Sequence, residues 1–148
     1  MSQVELDTSL GYLLKQASSA LHASMDAVLR PLGMTITEYS CLELLSQRPG
    51  MSNSALARGA FVSRQSMNVL LQSMERSGFI SRAQQPQAGR ILPTELTPAG
   101  EQRLKAASSA VRAVEKQMTS ALDARQQSDL GALLKGCITA LRQPPPAG

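Results

Sequence analysis

Histidine occurs once in this sequence and cysteine twice, and no apolar run approaches the roughly 18 residues that a membrane-spanning helix needs. Each shortage removes a class of function. A single histidine without a Cys/His cluster argues against a zinc sensor. There is no Gly-rich phosphate loop, no nucleophile elbow and no metal-binding histidine pair. A Ser–His–Asp arrangement would need His22 beside a serine and an aspartate that nothing in the chain identifies. Catalysis is therefore not expected, nor is a metal or cofactor. Cys41 and Cys137 lie in helical patterns rather than in a disulfide-like framework, which suits a reducing cytosol. Met1 to Asp7 is polar and acidic, with no apolar run leading to a small-residue cleavage site. A cytoplasmic location without a membrane partner is the expectation.

What the chain does have is concentrated cationic charge. Residues 51–90 hold five arginines (Arg58, Arg64, Arg76, Arg82, Arg90) and one acid, Glu75. That surplus equals the net charge of +4 for all 148 residues, so the rest of the chain balances to zero. An anionic partner is implied, and its contact region is localised.

Hydrophobic periodicity predicts helices nearly throughout. Leu10, Leu13, Leu14, Ala17, Leu21, Met25, Val28, Leu29 and Leu32 recur at helical spacing over about Asp7 to Leu32, ending at Pro31 and Gly33. Thr35 and Glu38 form a candidate capping box for a second helix, which stops near Pro49-Gly50. Ser52 caps a short third helix, 53–59, and Ser63 a fourth, 64–77. Phe79–Arg82 reads as a strand, Gln84–Gly89 as a turn-rich tip, and Ile91–Leu96 as a return strand that Pro93 confines to an edge or bulge. Thr97-Pro98 opens a long fifth helix. Asp123–Gln126 is a second capping box before a sixth, whose stripe is Leu130, Leu133, Leu134, Cys137, Ile138 and Leu141.

The order helix, turn, helix, hairpin predicts a mainly α fold with a small β-wing. A winged helix-turn-helix core is flanked by N- and C-terminal dimerisation helices. The chain is read as a single domain over 1–148. Its DNA-binding lobe covers 33–100, its dimerisation helices 7–32 and 98–142, and a disordered tail 143–148. The end helices carry more apolar surface than one chain can cover. A twofold dimer joined through Leu10, Leu13, Leu130, Leu134, Ile138 and Leu141 is expected.

The fourth helix carries the reading chemistry. Met67, Leu70, Leu71 and Met74 fall at core spacing. The opposite face presents Gln65, Val69, Gln72 and Arg76, flanked by Ser66 and Asn68, with no acid among them. Glutamine and asparagine pair with adenine, hydroxyls take either role, and valine meets a thymine methyl. Ser63 and the free amides at the helix start suit a phosphate, as does Arg64. Ser52 and Asn53, which open the preceding helix, belong to the same DNA-facing set. Arg82 and Arg90 bracket the hairpin tip, where a minor groove attracts arginine.

Five segments carry a family resemblance: Met34-Thr35-Ile36-Thr37-Glu38-Tyr39, Ala55-Leu56-Ala57, Val62-Ser63-Arg64-Gln65-Ser66, Met74 through Arg82, and Leu96-Thr97-Pro98-Ala99-Gly100. In that order and spacing the chain resembles the multiple-antibiotic-resistance regulator (MarR) family of bacterial transcription factors. The resemblance implies homodimers on pseudo-palindromic double-stranded DNA, usually as repressors. It also implies release of DNA by a small, often aromatic or phenolic, effector or by cysteine oxidation. Family pockets lie between the dimer helices and the DNA-binding lobe, a space that Tyr39, His22 and Met25 are placed to approach. Two departures stand out. Ala88-Gly89-Arg90 replaces the usual Asp-Arg-Arg of the wing, and Val69 stands where the family often has arginine. Both point to a more weakly anchored wing.

Three readings follow. The first is a ligand-released dimeric repressor. The second is a regulator switched by oxidation of Cys41 or Cys137, although the cysteine that the peroxide-sensing branch carries near the start of its first helix is missing. The third is a winged-helix protein-interaction module without DNA binding.

Overall fold

The computed structural model describes residues 3–82 and 94–145. The described residues form two compact units that divide between Arg112 and Ala113.

In the first unit, α1 (Leu10–Leu29) begins at Ser9, whose side chain accepts from the Tyr12 N–H. It starts later than the periodicity predicts because Ser9, not Asp7, supplies the cap. A single 3-10 turn, Arg30–Leu32, follows. The next helices are α2 (Ile36–Gln47), α3 (Asn53–Gly59) and α4 (Arg64–Arg76), capped by Thr35, Ser52 and Ser63 as predicted. The Thr35 box is one-sided: its hydroxyl accepts from the Glu38 N–H, but the Glu38 carboxylate is held elsewhere, by Arg103 Nε at 3.0 Å.

α4 ends at Gly78, which takes φ +81. The amides of Gly78 and Phe79 donate to the carbonyls of Glu75 and Met74 at 3.1 and 3.0 Å, closing the helix as a Schellman turn. That turn feeds β1 (Ile80–Arg82), which pairs antiparallel with β2 (Thr94–Leu96) in the register Ile80↔Leu96, Ser81↔Glu95, Arg82↔Thr94. Thr97 then joins the wing to α5 (Pro98–Met118). Its hydroxyl donates to the Gly78 carbonyl and accepts from the Gly100 N–H at 3.1 Å. A Cβ on Gly100 would lie 2.1 Å from the Phe79 carbonyl oxygen, so only glycine permits this approach of α5 to the strand entry.

The core gathers one face of each helix: Leu29 from α1, Cys41, Leu42 and Leu45 from α2, Leu56 and Ala57 from α3, Met67, Leu71 and Met74 from α4, and Leu104, Ala107 and Val111 from α5. Arg103 locks the rim. Besides Glu38 it donates to the Gly33 carbonyl at 2.8 Å, and its guanidinium lies 4.7 Å from the centre of the Phe79 ring.

The second unit holds the end of α5 and α6 (Ala124–Arg142). Both arms of the Asp123 capping box are made: the Gln126 N–H donates to Asp123 Oδ1 at 2.8 Å, and the Asp123 N–H donates to Gln126 Oε1 at 3.0 Å. No residue of α6 is buried. Of the predicted tail, residues 146–148 lie outside the described residues.

Candidate nucleic-acid interface

α3 and α4 form the helix-turn-helix. Each begins with a serine whose hydroxyl accepts an amide three residues on, Ala55 at 3.1 Å and Ser66 at 3.0 Å. Ser63 also donates its hydroxyl proton to Ser66 Oγ at 2.9 Å, so the entrance of α4 presents two linked hydroxyls. With Met67, Leu71 and Met74 buried, the opposite face of α4 is fixed outward. Gln65, Ser66, Gln72 and Arg76 are exposed, and Val69 is 61% exposed. Arg58 and Arg64 are exposed at the turn between the two helices. The outcome is a polar ridge with one apolar point, edged by cations, with the exposed Glu75 at its side.

Two of the predicted contact residues are hydrogen-bonded to each other. Asn53 Nδ2 donates to Asn68 Oδ1 at 2.7 Å, bracing α3 against α4. The brace occupies one of the two lone pairs of Asn68 Oδ1 and fixes the orientation of its amide.

Arg82, expected to reach a minor groove, is turned inward instead. Its Nε and Nη2 are buried with no hydrogen-bond partner among the described residues, and so is the hydroxyl of Thr94, its cross-strand neighbour. Its charge acts on the Cys41 thiol of α2. Strand alternation carries the signal, since Arg82 shares a face with Ile80, a core residue. Arg90 and the wing tip, with Gln84, Gln85, Gln87, Ala88, Gly89 and Pro93, lie outside the described residues.

The turn between α3 and α4 holds a residue that neither periodicity nor propensity singles out. Phe61 has φ +60, the left-handed region that favours glycine, and its side chain is 89% exposed. The Phe61 and Val62 amides donate to the carbonyls of Arg58 and Ala57 at 3.3 and 3.0 Å, which holds the backbone in that conformation. For a bulky side chain it costs about 1–2 kcal/mol.

The predicted pocket residues are spread. Tyr39 and Met25 are half-buried against the core, and His22 is exposed. The Tyr39 hydroxyl donates to Glu43 Oε2 at 2.8 Å. Burial pushes the Glu43 carboxyl up, but hydrogen bonds from Gln47, Tyr39 and Ser108 and the charge of Arg112 outweigh it and hold the group below its ordinary value. Glu43 lines a cavity of about 570 Å³ between α2 and α5, with Lys105, Ser108 and Arg112 among its walls. A second cavity, about 380 Å³, lies beside Met34, Phe79 and Arg103. Tyr39, His22 and Met25 line neither of these two.

The cysteines differ. Cys41 is buried, and loss of solvent, with the Glu38 charge adding to it, raises its thiol to about 12 against a smaller opposing pull from Arg82. Cys137 is exposed on α6.

Residues 34–92, from the entry to α2 through the wing, match the model of the MarR family. The HTH-type transcriptional repressor Rv2887 of Mycobacterium tuberculosis is 40% identical over 129 residues, covering 87% of this chain and 93% of that protein. The chain belongs to the MarR family. Crystal structures of the same mycobacterial MarR-family protein align with it in three dimensions. The complex with salicylic acid has a TM-score of 0.74 at 39% identity and covers 88% of this chain and 97% of that one. The complex with DNA has a TM-score of 0.72 at 37% identity and covers 88% and 98%. A MarR-family regulator from Silicibacter pomeroyi, at only 19% identity, reaches 0.86 over 95% of this chain and 97% of its own, so the winged helix-turn-helix fold outlasts most of the sequence.

Proposed function

We propose that the chain is a dimeric, sequence-specific transcriptional repressor that leaves its operator when a small phenolic carboxylate binds. The observation that carries this reading is the outward face of α4. Gln65, Val69 and Gln72 are held exposed by a buried opposite face, and no acid stands among them to repel phosphate. The mycobacterial relative crystallised with DNA supports the partner, and its salicylic acid complex supports the effector class. Dimerisation is supported by apolar side chains that the chain leaves uncovered: Leu10 and Leu13 on α1, and Leu130, Ile138 and Leu141 on α6. The thiol-switch reading loses Cys41, whose buried, protonated sulfur is a poor nucleophile near neutral pH.

The test is fluorescence anisotropy with a labelled duplex from the gene's own upstream region, over a salt series, with and without salicylate. The expected result is tight binding that falls steeply with salt and is relieved by salicylate. No binding at low ionic strength overturns the reading, and binding indifferent to salicylate and related phenolic acids overturns its effector half.

A further inference from the structure

Among the described residues, four take a positive φ. Three are glycines, Gly33, Gly50 and Gly78, and the fourth is Phe61. The chain thus uses glycine where this conformation serves a turn alone, and places an aromatic ring there once. The ring does not pack into the core. It is 89% exposed, whereas Tyr39 and Phe79 are half-buried and Tyr12 is 38% exposed. Both hydrogen bonds that hold the turn come from backbone amides, so they do not depend on the side chain. Phe61 therefore bears strain and exposes an apolar surface without contributing to the fold.

Its position supplies the reason. Phe61 stands two residues ahead of Ser63, the cap of α4, and in the chain between Arg58 and Arg64, both exposed. The exposed ring thus stands in the turn that leads into α4. We propose that Phe61 is a DNA-contacting residue whose ring packs on a thymine methyl and its deoxyribose at the edge of the major groove, while the adjoining arginines engage phosphates. The left-handed backbone is what aims the ring outward rather than into the core. This inference rests on the proposed DNA-binding function. An apolar contact with a thymine methyl is an established means of base discrimination, and cations on either side favour a polyanion over an apolar protein surface.

The experiment compares the wild type with Phe61→Gly and Phe61→Asn, two residues that accept the left-handed region. Anisotropy is read on the upstream duplex and on the same duplex with deoxyuridine in place of thymidine, alongside thermal melting and sedimentation. Both variants are expected to melt at or above the wild-type temperature and to bind the thymidine duplex roughly fivefold or more weakly, as loss of a buried aromatic contact implies. Removing the thymine methyls should weaken the wild type more than either variant. Unchanged affinity in both variants overturns the inference, as does a lower melting temperature in both, which would make the ring structural. A variant that sediments as a lighter species than the wild type overturns it in favour of a second copy as occupant. A wild type that fails to bind the duplex overturns the proposed function itself and the inference with it.

Discussion

Single residues here answer to their surroundings more than to their type. Cys41 and Cys137 both lie in helical apolar patterns, yet one is buried with its thiol raised to about 12 and the other is exposed. A thiol-reactive reagent at pH 8 should label Cys41 only after denaturant is added; rapid labelling of Cys41 in the native protein would contradict its burial. Glu43 makes a second case. Its carboxylate accepts from Tyr39, Gln47 and Ser108, which lowers its folded value. A group depressed on folding adds stability above its unfolded value and loses it as pH falls through the folded one. The stability advantage of wild type over Glu43→Gln in urea unfolding should therefore be full at neutral pH and shrink on acidification through the carboxylate range. An advantage that grows towards acid would reverse the sign.

At the scale of elements, the local signals were legible. Ser52, Ser63, Thr97 and Asp123 each open a helix as their side chains predict, because a cap needs only a short acceptor beside the first free amides. The core face of α4 followed from spacing alone. What stayed hidden was non-local or contrary to propensity. The Asn53–Asn68 brace joins side chains fifteen positions apart. Glu38 leaves its predicted box for Arg103, 65 positions away. Phenylalanine gives no hint of a left-handed backbone at Phe61. Arg82 was within reach, since alternation from Ile80 turns it inward. The outward face of α4 makes a prediction of its own. Gln65→Ala should cost roughly 1–3 kcal/mol at particular base pairs of the operator and little at others, as measured by binding to single-base-pair variants. An equal loss across all variants would make Gln65 a backbone contact.

For the whole molecule, the two described units each leave apolar surface uncovered. On α1, Leu10 is 77% exposed, and on α6, Leu141 is 86% exposed. Large apolar side chains left bare along both helices fit an association surface, and a second copy that covers them would also provide a second α4. The sequence signalled this as stripes longer than one chain could bury, but which side chains would be left bare depended on packing that periodicity does not encode. Two copies of α4, one from each subunit, are expected to enter one duplex together. Hydroxyl-radical footprinting of the upstream region tests it most directly. Two protected stretches related by twofold symmetry are expected, with centres about 10 base pairs apart; one isolated stretch, or uniform cleavage at low ionic strength, would rule out paired docking.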